Sequence, residues 1–324
     1  MTTLLITGAD GFVGRPLCAL ALQRGFAVRG AVRALPSDAT QLAGLEAVTW
    51  LACGDLAAKP DWSEALAGAD AVIHLAGRAH VLQESAANAV AMTRCVNVEG
   101  TQRLAEAMLA GATRRIVYVS SAHVHGRETD GAPIDERSPP CPQNAYARSK
   151  WDAEEALRAL IPSGLELVVV RPVLIYGPGA KGNLRRLMHW VARGWPLPLA
   201  GIRNARSLLA LDSLCELLLA CATRPDAAGE TFVAADAEAL STPELVRVLA
   251  GAMGRPVRLW RAPQFLLRAA LWLAGRLRTW EQLTGSLVVD AARSRAWLGQ
   301  SQAPDPRLGL AEMARAFLRE QGGA

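Results

Sequence analysis

Apolar residues recur along the first half of the chain in two alternating rhythms. Short, near-continuous apolar runs such as RIVYVS and LELVVV are separated by longer stretches whose apolar positions return every three to four residues. A run that is apolar at every position fits a strand covered on both faces, whereas the longer period fits an amphipathic helix. The pattern predicts strands at 3–7, 27–32, 47–52, 71–75, 115–120 and 166–171, and helices near 12–24, 62–67, 88–110 and 143–160. Alternation at this spacing predicts an α/β fold with a doubly wound parallel sheet.

Glycine and proline break the rhythm after RPVLIYGPGAKGN, residues 171–183. A helix at 184–193, a turn-rich stretch, a helix at 213–222 and a strand at 230–233 follow. From Ser241 onward the pattern is mainly helical, with Ser241 or Thr242 as a cap and Pro243 in the first turn. These shifts predict a nucleotide-binding domain over 1–172, to which 207–234 return, and a smaller, mainly helical substrate domain made of 173–206 and 235–324.

Composition removes some classes. A hydrophobic content of 51% excludes a disordered chain. The net charge of +5 is dispersed, without a Lys/Arg run, which argues against nucleic acid as a partner. Six cysteines without a C-x-x-C pair argue for a reduced, cytoplasmic protein. The N-terminus lacks a charged n-region, so no signal peptide is predicted. The apolar stretch 207–223 carries Asp212 and Glu216, which argues against a membrane span. The stretch FLLRAALWLAGRL, 265–277, has arginines at helical spacing and predicts an amphipathic helix laid on a core rather than on a membrane.

Gly8, Gly11 and Gly14 lie between the first strand and the first helix. Such a turn lets the backbone approach a pyrophosphate, with the helix N-terminus turned to its charge, and makes the fold Rossmann-type. The second strand ends at Arg33 where an NAD site would carry a carboxylate. A guanidinium there suits a 2′-phosphate, so NADP(H) is favoured and NAD(H) remains open. Asp55, after the third strand, is placed to accept from an adenine amino group or to form an Asx turn.

Only three residues are lysine and three tyrosine, yet YARSK places Lys150 four residues after Tyr146. That spacing puts both on one helix face. A fixed cation stabilises a phenolate, so Lys150 is expected to depress the Tyr146 pKa. A third group, a hydroxyl on the substrate oxygen, is available in Ser120 or Ser121 at the end of a predicted strand.

The pieces TGADGFVG, GDL, VIHLAG, NVEGT, VYVSSAHVHG, YARSK and RPVLIYGPG occur in an order that resembles the extended short-chain dehydrogenase/reductases of nucleotide-sugar metabolism, across essentially the whole chain. The resemblance implies a catalytic set of Ser121, Tyr146 and Lys150, with Asn97 bracing the helix near the lysine. It implies a dinucleotide held by Gly8, Gly11, Phe12, Val13, Gly14, Arg33, Asp55, Leu56, Leu75, Ala76, Gly77, Asn97, Tyr146, Lys150 and Pro172. His125 stands where the family often has tyrosine, and Gly77 where alanine is common.

HLAGRAHV and GAKGNLRRL are most similar to bacterial reductases and epimerases of UDP-linked 4-keto-6-deoxy-N-acetylhexosamines used in surface polysaccharide. By that similarity Arg206 would hold the substrate diphosphate. Arg78 and His80 would border the sugar or its phosphates, and Asn183 the nucleotide. His74, His123, His125 and His189 lack metal-like companions and read as packing or surface residues, with no metal implied.

The resemblance implies first an NADP(H)-dependent reduction of the C4 keto group of a UDP-linked sugar. The alternative is a UDP-hexose or UDP-N-acetylhexosamine 4-epimerase with tightly bound NAD. A reading of another class, a non-catalytic NADP(H)-binding regulator, is disfavoured by the presence of both Tyr146 and Lys150. The family's dimers imply a homodimer through helices 88–110 and 143–160.

Overall fold

Seven apolar runs become strands of one parallel sheet in the computed structural model, which describes residues 1–35, 43–79, 86–129, 131–273, 275, 277–300 and 304–322. The chain alternates β1 (Thr3–Thr7), α1 (Gly14–Gln23), β2 (Ala27–Val32), β3 (Thr49–Ala52), α2 (Ser63–Leu66), β4 (Ala71–His74), α3 (Ala86–Arg94), α4 (Gly100–Ala110), β5 (Arg115–Val119), α5 (Ala145–Arg158) and β6 (Glu166–Pro172). It continues through β7 (Leu174–Tyr176), α6 (Gly182–Ala192), β8 (Leu208–Ala210), α7 (Leu211–Thr223), β9 (Thr231–Ala234), α8 (Thr242–Ala252), α9 (Gln264–Leu273), α10 (Leu277–Thr284), α11 (Ala292–Trp297) and α12 (Pro306–Gly322).

The sheet order is β3-β2-β1-β4-β5-β6-β9. Leu4 of β1 stands opposite Val28 on one side and Ala71 on the other. The strand order therefore reverses between β1 and β4, and the crevice at their carboxyl ends is where an open α/β sheet binds ligands. One face of the sheet is closed by a core that includes Leu5, Leu104, Met108, Ile116, Tyr118 and Leu157. The predicted helix 88–110 is interrupted: Cys95–Glu99 form a single π turn between α3 and α4.

The chain divides into two compact units. The first is Met1–Gly126, Ser138–Pro172 and Asp212–Val233, and the second is Arg127–Arg137, Val173–Leu211 and Ala234–Ala324. Residues 127–137 and 207–211 pack with the second unit, although no break in the apolar pattern moves them out of the first. In the second unit β7 and β8 form a parallel pair, with Leu174 opposite Leu208. Helix α8 packs against α6 and α12. Ser241 and Glu244 close its N-terminus as a capping box, with Pro243 in the first turn.

No helix among the described residues is long and apolar enough to cross a membrane. The stretch 265–277 departs from the expectation of a helix laid on a core: Phe265, Leu266, Trp272 and Leu273 are exposed.

Candidate active site

The glycine turn is built by contact rather than by flexibility alone. Gly8 has φ 66°, in the left-handed region, and its N–H donates to the Ala31 carbonyl at 2.9 Å. A Cβ on Gly14 would lie 2.2 Å from the Gly8 carbonyl oxygen and 2.7 Å from Ala9. Gly14 is thus required for α1 to pack onto the end of β1, whereas Gly11, Phe12 and Val13 remain half-buried at the mouth of the turn. Val13 precedes α1 and has no side-chain acceptor to cap it. The arrangement fits a diphosphate, because a glycine turn leads directly into the positive end of a ten-residue helix.

On α5, Tyr146, Lys150, Glu154 and Arg158 follow one another at four-residue spacing and share a face. Asn144 starts the helix by accepting from the Ala147 N–H at 2.8 Å. Ser121, at the turn after β5, hydrogen-bonds Tyr146. The turn places Ser121, not Ser120, against the phenol: the Ser120 hydroxyl donates to Glu154 at 2.5 Å.

The Lys150 ammonium donates to the Val119 carbonyl at 2.9 Å and stands 4.9 Å from the centre of the Tyr118 ring. Burial pushes Lys150 down to about 8, with Glu154 opposing. Tyr146 differs from expectation. Burial raises its pKa, and the Ser121 hydrogen bond pulls it only partly back. Desolvation disfavours the phenolate, and the Lys150 ammonium is turned to the Val119 carbonyl and the Tyr118 ring.

Two buried polar chains hold these groups in place. In the first, the Thr101 hydroxyl donates to the Asn97 carbonyl at 2.7 Å and so accepts from His74 Nε2 at 2.9 Å. His74 Nδ1 is left to accept from the Thr7 hydroxyl at 2.7 Å, and Thr7 Oγ1 accepts from the Ala76 N–H at 3.1 Å. His74 is therefore a neutral imidazole, and burial with the Lys150 charge pushes it down to about 3. The π turn presents Asn97, whose side chain accepts from the Arg78 N–H at 2.7 Å. Asn97 also donates to the Arg78 carbonyl at 3.0 Å and to Ser149 at 2.9 Å. A Cβ on Gly77 would approach Asn97 Oδ1 to 3.1 Å, a tight contact.

In the second chain Arg171 makes a two-pronged ion pair with the fully buried Glu154, at 3.0 and 2.5 Å. Arg171 also donates to His125 Nε2 at 3.0 Å. Burial and the Arg171 charge hold the His125 pKa down. The imidazole accepts there as a neutral ring.

The remaining predicted residues fall as follows. Leu56, Leu75, Ala76 and Pro172 lie in the first unit, Leu56 buried and Pro172 closing β6. Asp55 caps the turn Leu56–Ala58 by accepting from the Ala57 N–H at 2.9 Å, as an Asx turn. Its other oxygen lies 3.7 Å from Arg33, whose side chain is 79% exposed. Arg78 is half-buried in the first unit, while His80 lies outside the described residues.

Asn183 and Arg206 belong to the second unit. Asn183 is exposed and accepts from Arg186 at 2.8 Å. Arg206 donates to the Gly285 carbonyl at 2.9 Å and to the Glu281 carbonyl at 3.4 Å, at the C-terminal end of α10. These bonds give Arg206 a structural task that its sequence position does not reveal. Beside them an open cleft of about 380 Å³ is lined by Glu128, Thr129, Trp280, Glu281 and Ser286, none of which carried a signal in the sequence.

Comparison with known proteins agrees with this geometry. The pattern of the NAD dependent epimerase/dehydratase family matches residues 4–235. The chain is 35% identical to a UDP-glucose 4-epimerase of Vibrio cholerae, over 98% of this chain and 96% of that one. It is 29% identical to an N-acetyl-alpha-D-glucosaminyl-diphospho-ditrans,octacis-undecaprenol 4-epimerase of Escherichia coli O157:H7, over 66% of this chain and 61% of that one. The fold is similar to a UDP-glucuronic acid 4-epimerase from Bacillus cereus solved with NAD, with a TM-score of 0.81 at 20% identity, covering 100% of this chain and 98% of that one. A family match spanning most of the chain, around a glycine turn at the strand-order reversal, shows that the chain belongs to the NAD dependent epimerase/dehydratase family.

Proposed function

We propose that the protein is a nucleotide-sugar 4-epimerase that inverts C4 of a UDP-linked hexose or N-acetylhexosamine, using NAD retained in the first unit. The observation that carries this reading is the Ser121–Tyr146 pair on the helix that also carries the buried Lys150. The likeness to the Vibrio cholerae 4-epimerase over nearly its whole length directs it to epimerisation rather than to the 4-keto reduction expected first. When bound, the dinucleotide supplies the acceptor and donor of a hydride.

The chain supplies the proton and the position. Tyr146 takes the proton of the sugar O4 hydroxyl as C4 is oxidised and returns it after the keto-sugar has turned its other face. Ser121 first donates to Tyr146 and so favours the phenolate against burial; as Tyr146 takes up the proton, the Ser121 hydroxyl turns its single proton to the sugar oxygen. Lys150 remains a cation at neutral pH and orients the ribose, with Asn97 fixing the loop at Arg78 against α5. The Asp55 carboxylate beside Arg33 would repel a 2′-phosphate, which supports NAD over NADP. The NADPH-dependent 4-keto reductase is the second reading, favoured by the exposed Arg33 guanidinium.

Incubation with UDP-glucose and UDP-N-acetylglucosamine, without added cofactor, separates the two. Formation of the galacto epimers supports epimerisation. Absence of epimers together with NADPH consumption on a UDP-4-keto-6-deoxy sugar would establish the reductase instead. Tyr146→Phe should lower turnover by about 10²–10⁴. We further propose a homodimer through α4 and α5, which a light-scattering mass of one chain would contradict.

A further inference from the structure

Helix α9 is apolar on two sides. Leu267 and Leu271, one turn apart, are half-buried. Phe265, Leu266, Ala269, Trp272 and Leu273 occupy the opposite arc and are exposed. Phe265 is 71%, Trp272 65% and Leu273 78% exposed. A surface helix of a soluble protein turns charged residues to that side, yet only Gln264 and Arg268 of this helix are polar. Trp260 and Val257, just before it, are also exposed.

The segment that carries this face has charge of one sign, and its Arg268 lines the cleft that also holds Glu128 and Glu281. From Leu245 to Trp280 the chain has seven arginines (Arg247, Arg255, Arg258, Arg261, Arg268, Arg276 and Arg278) and no carboxylate. Arg255, Arg258, Arg261 and Arg268 are exposed.

We infer that α9 and the segment before it dock on the surface of an anionic lipid bilayer. Exposed Trp, Phe and Leu beside arginines have the composition of a helix lying in a membrane interface. The arginine stems can lie along the apolar boundary while their guanidinium groups reach lipid phosphates. A second copy of the chain fits less well. A two-fold interface through this face would set the arginine-rich surface against itself. The inference stands on this face alone and does not depend on the reaction catalysed.

The test is flotation of the full-length purified chain with vesicles of phosphatidylglycerol and phosphatidylethanolamine, against phosphatidylcholine alone, at low and high salt. The wild type should float with the anionic vesicles, less at high salt, and not with phosphatidylcholine. Two variants address the two attractions: Phe265→Ser/Trp272→Ser/Leu273→Ser, and Arg255→Glu/Arg261→Glu. Each should bind about tenfold or more weakly. All five side chains are exposed, so an unchanged thermal midpoint shows that the variants are folded. The inference is overturned if the wild type fails to float with anionic vesicles or if the variants bind as it does. It is equally overturned if the serine variant abolishes a dimer that forms without lipid, since the face would then be a self-interface.

Discussion

Acidification from neutral pH to about 4.5 should remove roughly 3 kcal/mol of folding stability through His74 alone. The ring is fully buried, with both nitrogens engaged by Thr7 and Thr101, and the Thr101 bond to Asn97 fixes its neutral tautomer. Its pKa falls from 6.5 to about 3 on folding. The unfolded chain therefore binds this proton first as pH drops. The stability is fully present above pH 6.5 and drains away as pH falls toward 3. Each pH unit inside that window is worth about 1.4 kcal/mol, so two units give the figure above.

The assay is urea unfolding, followed by circular dichroism at a series of pH values, for wild type and His74→Gln. The glutamine carries a donor and an acceptor but no titrating ring. It should be less stable at neutral pH and should lose about 3 kcal/mol less than wild type on acidification. Other groups, including His125, whose pKa is also held down, contribute equally to both curves and cancel. Parallel curves for the two proteins would refute the assignment of a neutral, buried His74.

Three further outcomes follow from the geometry. Gly14→Ala should destabilise by more than about 3 kcal/mol or prevent folding, because its Cβ would meet Gly8 and Ala9 backbone; a thermal scan reads this. Arg171→Ala should cost about 2–3 kcal/mol in chemical denaturation, since it takes the two-pronged partner from the buried Glu154 carboxylate and leaves it Arg158 and Ser120. Adding Glu154→Gln should recover part of the loss. Tyr118→Phe should be neutral or stabilise by about 1 kcal/mol, because the buried Tyr118 hydroxyl has no hydrogen-bond partner among the described residues; a clear loss in the same assay would reveal one.

The sheet was legible because strands covered on both faces must be apolar throughout. Runs such as 116–119 and 167–170 therefore stand out without any knowledge of their neighbours. Tyr146 and Lys150 were legible for a different reason, since four-residue spacing on a helix is a local fact. What escaped the sequence was set by distant partners. The apolar period across 88–110 continues smoothly, and nothing in it announces the π turn, whose Asn97 answers to a backbone 19 residues away. The four-residue spacing of Lys150 from Tyr146 can be read in the sequence, but the burial that raises the Tyr146 pKa cannot. Arg206 shows its chemistry in the sequence and hides its partners, two carbonyls contributed by residues 75 or more positions later. The apolar arc of α9 escaped because periodicity marks a two-sided pattern and does not tell which side is covered.

The π turn also has a consequence for how this helix can change. Each residue added to or removed from a helix rotates everything beyond it by about 100°. Deleting one residue within 95–99 would restore regular hydrogen bonding and make a straighter, intrinsically easier helix, while swinging α3 out of phase with α4. Asn97 would then lose its aim at Arg78 and Ser149. The irregular turn is therefore tied to the site it serves, and a chain optimised only for helix regularity would erase it.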